Sequence, residues 1–317
     1  ASGRITFHAL AHVASIRRNE GGFRLCIVRH HESAAGGASG TERDVSEGAE
    51  SPGGAAGALE IDCGVVILAT GGVEAPVPAR LGARDGVRVL TQQELEARLW
   101  PAVRVPADVR SVVMIQCAGS RDEARPYCSQ VCCAHAIKNA IRLKEERPDV
   151  EVYVLHHDIR VSGLFEAYYE RARRMGVVFV RHPDGTWPKL ALNGGGLQSS
   201  GGPGLAVEVF DEVLGEVMVL PADLVVFSTG VEGSADPKLA ADLGVPVDRY
   251  GFLAEANPKV QPVDCLTPGV YVCGLARAPS LLADALVSAQ AAAARAGLYL
   301  AAREARTVQN VSYVRAR

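Results

Sequence analysis

Residues 111–156 read SVVMIQCAGSRDEARPYCSQVCCAHAIKNAIRLKEERPDVEVYVLH, and their pattern decides the fold class. The run from Ser111 to Gln116 suits a parallel strand covered on both faces. From about Gln130 to Glu146 the apolar residues Val131, Ala134, Ile137, Ala140, Ile141 and Leu143 recur at helical spacing. A second strand-like run, Val152 to His156, follows. Strand, helix and strand in this order predict a βαβ unit with a right-handed crossover, hence an α/β fold with a parallel sheet. Between the first strand and the helix lies the spacing C-x10-C-x3-C-C, formed by Cys117, Cys128, Cys132 and Cys133.

That position carries chemical meaning. In dinucleotide-binding folds it holds a Gly-rich turn, where helix-start amides bind a pyrophosphate. Here thiols stand in its place, so a nicotinamide dinucleotide is not expected to bind there in the usual pose. Four thiolates suit a [4Fe–4S] cluster or a structural zinc. The helix start, with its partial positive charge, stabilises the negative charge of a thiolate-held cluster. Zinc sites more often use two separated two-cysteine knuckles, so the spacing favours iron–sulfur. Zinc, and buried or redox thiols, remain the alternatives.

Working outward, the βαβ pattern continues through a helix from about Leu164 to Met175, a strand at Val177 to Val180, and a strand at Asp223 to Phe227. Asn193 to Gly204 is expected to be a flexible turn between antiparallel strands. Upstream, Gly64 to Ala69 reads as a buried strand ending at Thr70-Gly71-Gly72, and Thr91 with Glu94 signals a helix start. Pro101 and Pro106 mark a linker. Residues 33–58, rich in Gly, Ala, Ser and Glu, read as a flexible insertion. Downstream come a strand at Val270 to Cys273, Gly274, and an Ala-rich helix over about Leu282 to Ala302. These marks predict a division into 1–103, 104–247 with the cysteines, a return segment 248–305, and a tail 306–317.

Composition narrows the function classes. The 317 residues are 48% hydrophobic and 22% charged with a net charge of -3, which suits a folded protein and disfavours a chain held to nucleic acid by charge. No run of apolar residues is long enough for a membrane-spanning helix. No secretory signal opens the chain, and its start at Ala1 leads us to expect that an N-terminal piece is absent. Eight cysteines without an export signal argue against a disulfide scaffold. The four outside the motif read as small buried hydrophobes.

The text IQCAGSRDEARPYCSQVCCAHAIKNAIRLKEERPDVEVYVLHHDIR resembles the flavoprotein component of heterodisulfide reductase, its A subunit, and the bacterial relatives of that component. The resemblance continues through ATGG at Ala69, TQQELE at Thr91, VVFSTG at Val225 and NPKVQPVD at Asn257. It implies two Rossmann-like, thioredoxin-reductase-like domains that carry FAD and a [4Fe–4S] cluster. The cluster ligands would be Cys117, Cys128, Cys132 and Cys133. Lys138 would approach the flavin ring and favour its reduced, anionic form. Thr70, Gly71, Gly274 and the helix start near Asp284 would meet the FAD.

The implied role is electron transfer between FAD and the cluster and on to other subunits of a complex, with ferredoxin-like or hydrogenase- or dehydrogenase-type donors. A cytoplasmic location is expected, with any membrane association running through partner subunits. The Gly-rich FAD fingerprint found in relatives is not seen before Thr70. This stretch of sequence is therefore expected to hold FAD weakly by itself. Residues 33–58 contain no cysteine, so the ferredoxin module that many relatives insert there is not expected. The competing functions are a pyridine-nucleotide disulfide oxidoreductase and a zinc-stabilised scaffold without catalysis.

Overall fold

The computed structural model describes residues 5–29, 58–81, 88–192 and 205–306. The first elements are strands β1 (Ala11–Asn19), β2 (Gly22–Arg29), β3 (Ala58–Cys63), β4 (Val66–Leu68), β5 (Gly72–Glu74) and β6 (Val89–Thr91), followed by helix α1 (Gln92–Leu99). Then come β7 (Ser111–Ile115), α2 (Cys132–Glu146), β8 (Glu151–His156), α3 (Glu166–Arg174) and β9 (Val177–Arg181). The antiparallel strands β10 (Lys189–Leu192), β11 (Leu205–Asp211) and β12 (Glu216–Ala222) precede β13 (Leu224–Phe227) and β14 (Val231–Gly233). The chain closes with α4 (Pro237–Leu243), β15 (Val270–Val272) and α5 (Leu282–Arg306).

A five-stranded parallel sheet runs in the order β6-β13-β7-β8-β9, with β7 at its centre. Every residue of β7 is buried. Val112 and Met114 share a core with Ile137, Ala140 and Leu143 of α2 and Leu95 and Leu99 of α1. Val113 and Ile115 join Val207, Val209, Leu220 and Ala222 of the antiparallel sheet on the opposite face. Cover on both faces is why this strand reads as an unbroken apolar run. Fully burying each of these side chains contributes about 1.5–3 kcal/mol. The expected helix start at Thr91 is a reciprocal cap: Thr91 Oγ1 accepts from Glu94 N at 3.3 Å, and Glu94 Oε2 accepts from Thr91 N at 2.7 Å.

A second core gathers the three-stranded antiparallel sheet β1-β2-β3, the parallel pair β4–β15, and helix α4. Ile16, Phe23, Leu68, Leu243, Leu253 and Val272 are among its buried members. Among the described residues, the parallel part of this second unit is that single pair of strands. Ala292 and Ala296 of α5 pack against Tyr271 and Cys273; their small side chains let the helix lie close to β15. The two units are joined through an antiparallel crossing, in which Gly72–Glu74 pairs with Val231–Gly233.

Packing crosses the boundaries expected from sequence at two places. Strand β6 and helix α1 fall before the Pro101–Pro106 linker, yet they belong to the central sheet. Helix α4 falls before residue 247, yet Ala240 and Leu243 are buried with Ile16 of β1. The prolines mark only a surface loop after α1, whereas the short β5–β14 pair carries the chain between units. The insertion at 33–58, except Ala58 in β3, the turn at 193–204 and the tail after 306 lie outside the described residues. No helix among the described residues is long and apolar enough to cross a membrane.

Candidate functional site: a four-thiol loop beside a cleft

The cysteine loop leaves the C-terminal end of β7 and ends in the first turn of α2, at Cys132 and Cys133. Ligands of parallel α/β sheets bind at this edge. Cys117 and Cys133 are buried, and Cys128 and Cys132 are partly exposed. All four thiols lie near enough to act on one another's ionisation, in every pairwise combination. Burial, then Cys133, pushes the Cys117 thiol up to about 12. Burial and neighbouring thiols also raise Cys132, and burial raises Cys133. Among the described residues, no three His, Cys, Asp or Glu side chains are placed to hold a single metal ion.

Donors converge on the sulfurs. The amide of Gln130 donates to Cys128 Sγ at 3.3 Å, and the amide of Arg160 to Cys133 Sγ at 3.4 Å. The Arg121 guanidinium lies close enough to Cys117, and the Arg160 guanidinium close enough to Cys128, for each pair to feel one another's charge. Asp158, just after β8, ties the two arginines together, at 2.5 Å from Arg121 Nη1 and 3.1 Å from Arg160 Nε. Cys117, Arg121 and Gln130 have φ of +55°, +60° and +62°, a left-handed backbone that costs non-glycine residues energy and recurs at functional sites. Sequence reasoning assigned no role here to Arg121, Asp158 or Arg160. Asp158 and Arg160 stand far from the cysteines in sequence, and only the β7–β8 pairing brings them near.

A cleft of about 250 Å³ adjoins Cys132. Gly72, Gln92, Glu96, His135, Thr229 and Leu275 are among its walls. Ser228 Oγ and Thr229 Oγ1 are buried there without a partner. Gly71 and Gly274 are not among the cleft residues, although their chain neighbours Gly72 and Leu275 are. The Gly274 amide is already bonded to Ser288 Oγ, at 2.9 Å. Thr70 is exposed and its carbonyl accepts from Ser234 Oγ at 3.2 Å. Asp284 is exposed on the first turn of α5 and is not among the cleft residues.

Lys138 lines a different, mostly apolar groove of about 480 Å³ with Ala134, Ile137, Val161, Phe165 and Tyr168. Its ammonium donates to Glu96 Oε1 at 2.5 Å, and His135 Nε2 lies 2.6 Å from Glu96 Oε2. Burial opposes ionisation of Glu96, but Lys138 and His135 outweigh it and hold the carboxyl below its usual range. Burial, then Lys138, lowers the His135 imidazole. Glu96 and His135 line both cavities, so this pair is the wall between Lys138 and the cleft. Neither residue was picked out from sequence.

The A subunit of the H(2):CoB-CoM heterodisulfide,ferredoxin reductase of Methanothermobacter thermautotrophicus is 37% identical over 258 residues, which is 76% of this chain and 37% of that protein. The iron-sulfur A subunit of the CoB--CoM heterodisulfide reductase of Methanocaldococcus jannaschii is 35% identical over 260 residues, 77% of this chain and 38% of its own length. The chain is similar to heterodisulfide reductase A subunits over about three quarters of its own length. It spans 37% of the length of the first of these two relatives. Thioredoxin reductase of T. acidophilum matches this fold with a TM-score of 0.50 at 16% identity, covering 93% of this chain and 74% of that one. The Lactococcus lactis thioredoxin reductase matches with the same TM-score, 0.50, at 14% identity, over 92% and 74% of the two chains. The expectation of a thioredoxin-reductase-like α/β fold is thus met. No protein-family model matches the chain.

Proposed function

We propose that this chain is part of an electron-transfer flavoprotein subunit, with a [4Fe–4S] cluster on Cys117, Cys128, Cys132 and Cys133 and FAD in the cleft beside Cys132. The observation that carries the reading is the mutual reach of four thiols at the end of the central strand, with no three of them set around one ion. Each cysteine of a cubane cluster binds a different iron, so its ligands need not meet on a point. A zinc-stabilised scaffold requires them to meet. The names of the relatives, in which "iron-sulfur" occurs, support the same choice.

The protein's part is to hold charge and exclude alternatives. Arg121, Arg160 and the amides of Gln130 and Arg160 bring positive charge and N–H donors to sulfurs that become thiolates when loaded. The start of α2 adds its dipole. The partnerless hydroxyls of Ser228 and Thr229 fit the polar edge of a planar ring, and the cleft has room for part of a dinucleotide only. Gly71 and Gly274 adjoin the cleft residues Gly72 and Leu275 in the chain, with Thr70 and Asp284 further out on the FAD-binding unit. Lys138 acts across the Glu96–His135 wall. When bound, the flavin exchanges electrons singly or in pairs and the cluster one at a time.

In functional terms, β1 to β5, α4, β15 and α5 form the flavin unit, and the five-stranded sheet with α1 to α3 forms the cluster unit. Electrons leave to other subunits of a complex, with ferredoxin- or hydrogenase-type donors consistent with the relatives' names. The test is an anaerobic reductive titration of chain loaded with iron, sulfide and FAD. Flavin bleaching and an EPR signal that exchange electrons at equilibrium support the proposal. Flavin reduction with no iron-dependent signal contradicts it.

A further inference from the structure

The loop that presents the thiols is also fastened to β14 of the β5–β14 crossing and to the segment just after β5. Tyr127, next to Cys128, donates its hydroxyl to Val231 O at 2.9 Å. Its ring meets Tyr250 and Phe252 edge-on, with centroids 4.9 and 5.8 Å away. Both aromatic partners come from the segment between α4 and β15, in the other unit. Arg125 Nη1 lies 3.1 Å from Glu232 Oε1 in β14, but without the alignment of a hydrogen bond, so the contact is an ion pair. Arg125 Nη2 reaches Pro76 O, just beyond β5, at 3.5 Å. Ser129 Oγ accepts from Val231 N at 2.9 Å, and Ser120 Oγ donates to Thr229 O at 3.0 Å. The approach to the β5 side is equally tight: a Cβ on Gly119 would stand 2.3 Å from Pro78 Cγ.

Within the same loop, Cys117, Arg121 and Gln130 hold left-handed backbone. Such conformations persist only where surrounding interactions over-determine them. Ligation of four sulfurs is one such interaction, and the contacts to the crossing are the other. What stabilises the loop at one end therefore stabilises it at the other, and the linkage is reciprocal.

We propose that Tyr127 and Arg125 are positioning residues that make filling of the four-thiol site and closure of the β5–β14 crossing one linked equilibrium; this rests on reading the thiols as cluster ligands. With the site filled, the loop bolts the two units together and keeps Cys132 facing the cleft. With it empty, the loop relaxes, Tyr127 withdraws, and the crossing opens more often.

The experiment is amide hydrogen exchange on the full chain, with and without iron and sulfide, read at Val231, Gly233 and Ala75. These amides donate to Ser129 Oγ, Tyr250 O and Gly230 O in the closed crossing. Stripping iron from the wild type is expected to raise exchange there about ten-fold or more. In Tyr127→Ala and in Arg125→Met the same stripping is expected to change it less than about two-fold. Tyr127→Phe keeps the ring contacts and loses one hydrogen bond, so its iron dependence falls part-way, between that of the wild type and that of Tyr127→Ala. A purely structural role would raise exchange in the variants equally with and without iron. Loaded wild-type protein with iron-independent exchange, or variants that keep the full iron dependence, overturns the coupling alone. Iron and sulfide are counted on the same samples, and a wild-type chain that takes up neither contradicts the cluster reading, and the coupling falls with it.

Discussion

Gly230→Ala tests how the cysteine loop is held. Gly230 has φ of +88°, and a Cβ there would stand 2.4 Å from both Ser120 Oγ and Ser129 Oγ. Gly163 is the control: its φ is +59°, and nothing lies within 4 Å of its Cβ position. Both substitutions place an L side chain in left-handed backbone, at about 1–2 kcal/mol. Only Gly230→Ala adds overlap with the loop, worth about 1–3 kcal/mol. Pushing Ser129 aside also loses its hydrogen bond from Val231 N, about 1 kcal/mol more. Gly230→Ala should therefore lose about 3–6 kcal/mol and Gly163→Ala about 1–2. Urea unfolding with linear extrapolation measures both. Adding Ser129→Ala to Gly230→Ala removes one of the clashing hydroxyls and should recover part of the loss, a coupling that distant sites do not show. Equal losses at Gly230 and Gly163, or no recovery in the double variant, would refute the reasoning.

Other outcomes follow from the charges. Lys138→Ala should make bound flavin harder to reduce, by the equivalent of about 1 kcal/mol per electron, with iron content unchanged; Glu96→Gln should shift the potential the opposite way. Burial holds the imidazoles of His156 and His182 down to about 4, against an ordinary 6.5. The unfolded chain then takes up more protons between those values, so this stability is complete above pH 6.5 and is lost as pH falls towards 4, about 3 kcal/mol for each residue. Unfolding midpoints against pH should show the slope, and His182→Gln should remove one proton's share of it. Cys117, raised from 9.0 to about 12, gives the reverse sign: metal-free protein should lose stability as pH rises from 9 towards 12, because the unfolded thiol ionises first. Loading iron and sulfide should release protons from the thiols, measurable with an indicator dye, and should abolish that alkaline slope.

Much of the parallel sheet could be read directly, because strands covered on both faces leave unbroken apolar runs such as SVVMI, and because Thr91 and Glu94 cap a helix in a local, sequence-adjacent way. The cysteine spacing was equally local. What escaped was set by pairing at a distance. Asp158 and Arg160 reach the thiols only because β8 lies beside β7. Glu96 meets Lys138 and His135 only because α1 packs on α2. Packing across the expected boundary escaped for a related reason: prolines at 101 and 106 are conspicuous in a sequence, whereas a three-residue strand pair between Gly72–Glu74 and Val231–Gly233 leaves almost no local mark. Asp284, which the resemblance led us to expect near the FAD, is exposed on α5 and is not among the residues lining the cleft.

The central claim is that Cys117, Cys128, Cys132 and Cys133 together hold one cubane cluster. Elemental and sulfide analysis of anaerobically prepared protein, with Cys132→Ser and Cys128→Ser alongside, addresses it most directly. The account predicts four irons and four acid-labile sulfides per wild-type chain, with the brown absorption and the reduced-state EPR signal lost in both variants. One zinc per chain, no metal after attempted loading, or unchanged iron in both variants would contradict it.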